Sequence, residues 1–510
     1  MIRKFLISIL LFTISTMGSP AYGEALSTEG KIQNIILFIG DGMHKQHEIA
    51  ASRYLTGTDN ALIWNQFPYK TFVSTWDIDT YNRYAYNLNK PAFSYEKFDP
   101  LIGYNPESGG NNPYPMATNI NDSYFLTPLL QNKGEIIPNI PATDSAASAT
   151  AIATGRKTEA GNISWQPGDP ENGSIKTIAE IIKEKRKASI GVVTTVPFNH
   201  ATPAAFISHN ILRENYYTGG YKGLGIADEI MKITRPDVVI GGGHPDFDKQ
   251  GYLSKKLYKE LLWSDDYIVA ERRKGEDGGI SLLNASNIAF EHDKMLFGIF
   301  GGRDGNFESP IPIHSPDNPK IKRAVENPAL ADATISALNV LGKNENGFFL
   351  MVEQGDIDWA NHQNNYKAMI GCVLDLNEAV KSAIEFINKP DDDIDWDNTL
   401  LIVTADHANS YMRLNDEKKL CKGCLPEQRR MFGFVGKWVY PDRKVKYSLG
   451  GHTNELVSLY AMGAGIGLFK EYEGKWYQGT KIIDNTHIFH VMNSALDLKN
   501  IKSGLSSRKN

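Results

Sequence analysis

The 510-residue chain has three cysteines, no strong excess of charge of either sign and no internal repeat. Its 54 basic and 59 acidic side chains leave a formal net charge of -5, which gives no reason to expect a nucleic-acid partner. Three cysteines, Cys372, Cys421 and Cys424, are too few for a disulfide framework. Cys421-Lys-Gly-Cys424 is open to reading as a disulfide loop, half a metal site or a redox pair. A zinc knuckle needs two further ligands nearby and none is evident, so a local disulfide is favoured, with Cys372 free and buried on a helix. Gly241-Gly-Gly-His244 lacks the Lys and Ser/Thr of a phosphate-binding loop and reads as a strand-to-loop turn. The five aspartates between Asp391 and Asp397 lack EF-hand spacing and read as a solvated loop.

What is present begins with a targeting pattern. Arg3 and Lys4 precede an apolar stretch from Phe5 to Met17, and Ala21-Tyr22-Gly23 offers small residues at a cleavage point. The stretch is too short for a comfortable membrane span and has no stop-transfer pattern behind it. No cysteine follows it to carry a lipid anchor. Residues 1–23 are therefore expected to be a signal peptide and 24–510 a single catalytic domain with no membrane span, periplasmic or secreted, in an oxidising compartment.

Apolar runs at Asn34–Ile39, Ser189–Val193, Asp237–Ile240, Phe348–Val352, Thr399–Val403 and Leu456–Ala461 read as buried parallel strands. Helical patterns lie between them: Ile175, Ile178, Ile181 and Ile182 share one face, and a long helix is expected from Tyr366 to Ile387. This alternation predicts an α/β fold, a central mostly parallel sheet with helices on both faces. Residues from about 81 to 139 are rich in Tyr, Asn, Pro and Gly and read as an ordered, loop-rich insertion that either shapes a site entrance, forms a subunit contact or decorates the surface.

The insertion leads into Pro141-Ala-Thr-Asp-Ser-Ala-Ala-Ser-Ala-Thr150, an Ala-rich helix ending near Gly155 with Asp144-Ser145 at its mouth. Asp144 can cap the free N–H groups, and the helix dipole favours an anion at that end. Other polar residues stand at strand ends, where open α/β sheets gather ligands. Asp41 follows the first strand, Glu353 ends another and Asp406-His407 follows a third. Asp358 and His362, four residues apart, share a helical face, and His452 immediately precedes the last strand. Carboxylate and imidazole together suit Zn²⁺, whereas all-oxygen sets suit Mg²⁺.

Six blocks in order resemble the zinc-dependent, serine-nucleophile alkaline phosphatase family: Ile36-Leu-Phe-Ile-Gly-Asp-Gly-Met43, Thr143-Asp-Ser-Ala-Ala-Ser-Ala-Thr150, Asn199-His-Ala-Thr-Pro-Ala-Ala205 with Arg213, Glu353-Gln-Gly-Asp-Ile-Asp358 with His362, Thr404-Ala-Asp-His407 and Gly451-His-Thr453. The resemblance implies hydrolysis of phosphate monoesters through a phosphoserine on Ser145, with two Zn²⁺ ions and a third metal. It assigns Asp358, His362 and His452 to the first zinc, Asp41, Asp406 and His407 to the second, and Asp41, Thr202 and Glu353 to a third site, usually Mg²⁺. Arg213 matches the clamp on the non-bridging phosphate oxygens, with Asp144 holding it or the local backbone. A homodimer is common in the family.

Two positions depart from the pattern. His200 stands where some members have aspartate, which favours Mg²⁺ less and leaves Zn²⁺ as the alternative. Trp359 stands where others have lysine or histidine; it cannot carry charge to phosphate and can wall the pocket or stack on an aryl group. The rival readings are a phosphodiesterase or sulfatase on a related two-metal scaffold and a non-catalytic metal- or phosphate-binding protein. A diester makes less use of an arginine clamp, the modified residue of a sulfatase motif is not seen, and no matched position is lost.

Overall fold

The computed structural model describes residues 32–106, 142–390, 393–431 and 437–497. The expected signal peptide, residues 107–139 of the insertion and the first two aspartates of the Asp391–Asp397 loop lie outside the described residues. Among the described residues no helix is long and apolar enough to cross a membrane.

Ten strands form one sheet: β1 (Asn34–Gly40), β2 (Tyr69–Ser74), β3 (Ser189–Pro197), β4 (Val238–Gly242), β5 (Tyr267–Glu271), β6 (Met295–Ile299), β7 (Phe348–Gln354), β8 (Thr399–Thr404), β9 (Val457–Gly463) and β10 (Ile483–Asp484). Their order across the sheet is β10-β2-β9-β8-β1-β7-β3-β4-β6-β5. Every residue of β1, β3, β7 and β8 is buried, as their unbroken apolar runs require when helices cover both faces. Helices Lys45–Thr56, Gly278–His292, Leu330–Leu341 and Tyr366–Ile387 pack side by side in one layer. Helices Ser145–Thr154, Ile178–Arg186, Ala201–Ile207 and Asn485–Ala495 form the other.

The central strands set the site. β8, β1, β7 and β3 are parallel neighbours, with Ile39 opposite both Thr404 and Glu353, and Glu353 opposite Thr194. Their carboxyl ends therefore stand in a row, so Asp41, Glu353, Asp406 and the turn after β3 share one edge.

Two expectations need correction. The last apolar run forms a strand, but it is antiparallel to both β8 and β2. The reversal has a purpose in space: it starts β9 at the edge where the parallel strands end. Residues just before β9, His452 among them, thereby reach the same edge as residues just after β8. A parallel β9 would have put them at the opposite side. Ile175 also falls outside its expected helix, which begins at Ile178 after a Thr177–Glu180 capping box. The N–H of Ile175 instead donates to Ser164 O at 2.7 Å.

Cys421 and Cys424 are joined in a disulfide, and Cys372 is free and buried on the helix Tyr366–Ile387. The described part of the aromatic segment packs as a second core around Trp76, which is fully buried among Tyr81, Phe93, Phe98 and Trp476, with ring centroids 5.5 to 6.1 Å away. Lys157 lies 4.2 Å over the Trp76 ring and pairs with buried Asp484 at 2.9 Å, linking this core to the C-terminal helix. Trp76→Ala empties the centre of the cluster and is expected to cost about 3–5 kcal/mol. The check is a lower urea midpoint at unchanged slope.

Candidate functional site

A cleft of about 430 Å³ opens at the carboxyl edge of the sheet, lined by Ser145, Arg213, Asp358, His362 and His452, with His200, Trp359 and Gln363 on its wall. None of the described residues of the aromatic segment lines it.

Ser145 is the first residue of the helix Ser145–Thr154, and Asp144 is its N-cap. Asp144 does three jobs with two oxygens. Oδ1 accepts from Ala147 N at 2.9 Å, while Oδ2 accepts from Gly161 N at 3.1 Å and from the Arg213 guanidinium at 2.9 Å. Burial would raise its pKa, yet Arg213 and these N–H groups hold it below the ordinary value. The neighbour of Ser145 thus fixes the arginine over the same cleft. Ser145 Oγ lies 3.1 Å from His407 Nε2.

Asp358 and His362 stand one turn apart on the helix Asp356–His362. His362 Nε2 is 3.2 Å from Asp358 Oδ2, His452 Nε2 is 3.3 Å from Asp358 Oδ1, and the two Nε2 atoms are 3.1 Å apart. The opposite ring nitrogens donate to carbonyls: His362 Nδ1 to Gly450 O at 3.1 Å and His452 Nδ1 to Thr143 O at 2.8 Å. Both Nε2 lone pairs are therefore aimed at one point, where they repel unless a proton or cation lies between them. The surrounding charges act in the same sense. Burial alone would lower the His362 pKa, but the Asp358 carboxylate outweighs it and lifts it to about 9. His452 is raised against burial in the same way, and Asp358, despite burial, is held well below its usual range by the two imidazoles.

The second group adjoins the first, with the His407 ring stacked on His452 at 3.7 Å. Asp41 Oδ1 and Asp406 Oδ2 each lie 3.3 Å from His407 Nε2. Asp406 Oδ1 is occupied by Gly42 N at 3.0 Å and His407 N at 2.9 Å. At the third, Glu353 Oε2 accepts from Thr194 Oγ1 at 2.5 Å. The remaining atoms, Asp41 Oδ1, Asp406 Oδ2, Glu353 Oε1 and Thr202 Oγ1, are buried without a hydrogen-bond partner. Burial and mutual repulsion push Asp41 well up, burial foremost pushes Glu353 to about 8, and burial then Asp358 push Asp406 to about 6. Asp406 and Glu353 each have one oxygen tied and the other free, and buried oxygens left over in this way are what cations would satisfy. The donor chemistry fits: nitrogen and carboxylate in the first two groups suit Zn²⁺, and the oxygens of Asp41, Glu353 and Thr202 suit Mg²⁺. Gly42, at φ +67°, closes the cradle, since a Cβ there would stand 2.7 Å from Asp358 Oδ1.

His200 precedes the helix Ala201–Ile207, its ring 5.9 Å from Trp359 and 6.4 Å from Tyr252. Burial and then the Arg213 charge press its pKa down to about 3, so the imidazole is neutral. His44 and His47 cap the helix Lys45–Thr56. Sequence reasoning missed Asn409, whose Nδ2 donates to Asp358 Oδ1 at 2.5 Å, and Thr194, which faces Glu353 across the β3–β7 register. Asn409 lies two residues past His407, just beyond the block Thr404–His407; Thr194 carries no local signal.

The alkaline phosphatase family profile matches residues 123–419. Alkaline phosphatase of Escherichia coli (strain K12) is 32% identical over 384 residues, covering 70% of this chain and 74% of that one. Alkaline phosphatases 4 and 3 of Bacillus subtilis (strain 168) are 31% and 33% identical over 62% and 53% of this chain, and the match spans 60% and 50% of their lengths. A cold-active alkaline phosphatase from Shewanella sp. shares the fold with a TM-score of 0.59 at 21% identity, covering 91% of this chain and 99% of that one.

Adding Zn²⁺ to chelator-stripped protein is expected to raise its thermal midpoint, because a ligand at a thousandfold its dissociation constant stabilises by about 4 kcal/mol. Calorimetry reads the shift, and Asp358→Asn should diminish it.

Proposed function

Since the chain belongs to the alkaline phosphatase family, we propose that it hydrolyses phosphate monoesters to an alcohol and inorganic phosphate through a covalent phosphoserine on Ser145. The observation that carries this reading is the Asp144 carboxylate, which starts the Ser145 helix and holds Arg213 over the same cleft. Ser145 Oγ attacks phosphorus, forming the Oγ–P bond as the alcohol oxygen departs. Water then breaks that bond, returning the serine and releasing phosphate. The Ser145 oxygen stands at a helix N-terminus, where the dipole favours its anionic form and the incoming phosphoryl group. The Arg213 guanidinium suits two non-bridging oxygens, where transition-state charge accumulates. Asp144 keeps it from turning away.

Metals are assigned as the resemblance implies: Asp358, His362 and His452 would hold one Zn²⁺, Asp41, Asp406 and His407 a second, and Asp41, Thr202 and Glu353 a Mg²⁺ or third Zn²⁺. When bound, these ions neutralise the buried carboxylates and supply Lewis-acid stabilisation to anionic oxygens of the serine and the departing alcohol. Neutral His200 and Trp359 wall the cleft without adding charge. The reading extends to a single catalytic domain over 24–510, export by residues 1–23 to the periplasm or beyond, and a homodimer.

Ser145→Ala is expected to abolish both turnover of an aryl phosphate and the phosphoserine trapped by acid quench; retained turnover overturns the mechanism. Arg213→Ala is expected to lower kcat/KM for monoesters about a hundred- to a thousandfold. Activity on a diester, with one fewer charged oxygen, should fall far less. Equal losses favour the phosphodiesterase reading.

A further inference from the structure

Arg213 rides on a strap between the helices Ala201–Ile207 and Ile226–Glu229. At its tip the strap is tied to the nucleophile helix and the loop that follows it: the guanidinium donates to the N-cap Asp144, and Arg213 N to Gly161 O at 2.8 Å. Its root is a buried ionic knot that the chemistry does not touch. Glu229, buried at 1% exposure, takes Ser208 Oγ at 2.9 Å and His209 N at 2.9 Å on one oxygen, and His209 Nδ1 at 2.7 Å on the other. The opposite edge of the ring faces acceptors as well, with Nε2 3.2 Å from Glu180 Oε2 and 3.1 Å from Ile175 O. A neutral imidazole has one N–H; a ring with acceptors at both nitrogens carries two. Around it are Glu180 from the helix Ile178–Arg186, Glu229 from the strap's far end and the Tyr221 ring at 6.2 Å, while Lys176 acts on it through Glu180. The next residue, Asn210, pairs with Ile163 in both directions at 2.8 and 2.9 Å and donates to Thr218 O at 3.0 Å.

We propose that His209 is a positioning residue for phosphate binding: its imidazolium, pinned between Glu229 and Glu180, sets the strap that places Arg213 over Ser145. This rests on reading Arg213 as the phosphate clamp. Burial works against the charged ring, but Glu180 and Glu229 outweigh it and lift the pKa to about 10 from an ordinary 6.5. The sign follows from linkage: the stabilisation is complete below 6.5 and is lost as pH rises through about 10. The clamp therefore has an alkaline limit set away from the cleft.

The experiment uses the full chain with its metals and compares wild type with His209→Gln and Glu180→Gln, the latter keeping the Glu229 bonds should the former fail to fold. Inhibition by inorganic phosphate, KM and kcat for an aryl phosphate, and hydrogen exchange over residues 208–225 are followed from neutral pH to about 11. Misplacing the clamp should raise the phosphate inhibition constant and KM about ten- to a hundredfold in His209→Gln, with kcat less affected. Exchange should quicken in the strap and not in β1 or β7. Wild type should lose phosphate affinity near pH 10, His209→Gln should show no such inflection, and Glu180→Gln should show it at lower pH. An unchanged inhibition constant, or an inflection that persists in His209→Gln, overturns the proposal. A wild type that binds no phosphate overturns instead the reading of Arg213.

Discussion

Burying several negative charges at one edge of a sheet is the constraint on which the rest of this architecture depends. Asp41, Glu353, Asp358 and Asp406 sit within a few residues of three neighbouring strand ends, β1, β7 and β8, all of them shielded from water. Each buried ion carries a desolvation penalty of several kcal/mol unless a counter-charge offsets it. The protein supplies part of the remedy. Backbone N–H groups and Thr194 tie one oxygen of Asp406 and Glu353, carbonyls turn His362 and His452, and Gly42 removes a side chain from the centre. What is left over has the geometry and chemistry of cation sites, so binding capacity here is a residue of incomplete internal compensation.

Much of this was legible in the sequence, for a physical reason. Strands covered on both faces must be apolar throughout, and the runs at β1, β3, β7 and β8 stand out accordingly. An apolar run does not encode direction, which is why β9 was read as parallel. A clue was available: His452 precedes its strand, whereas Asp41 and Asp406 follow theirs, and only a reversed strand unites them. β2 has an exposed and a half-buried position among its buried ones, and three of the five positions of β5 are half-buried, so neither made an unbroken run. Asn409 and Thr194 serve the site through register and proximity, which no single-sequence pattern expresses. The aromatic segment was legible as something that packs, but its partners Trp476 and Tyr477 come from the other end of the chain.

The same edge shows how position and charge are kept apart. Asp144 and Arg213 neutralise each other beside Ser145, so the guanidinium brings donors to the cleft without a large unbalanced field. His200 and Trp359, neutral or apolar, add shape. The charged support lies further back, in Glu229, His209 and Glu180.

The reversed strand also governs when a newly made chain becomes competent. Asp41 is near one terminus and His452 near the other, and β9 inserts between β8 and β2. Closure of the long loop between them must precede the arrival of His452 at the shared edge. A chain lacking β9 and the residues before it therefore leaves Asp358 and His362 as an open pair, and the site comes into being only once β9 has taken its place beside β8.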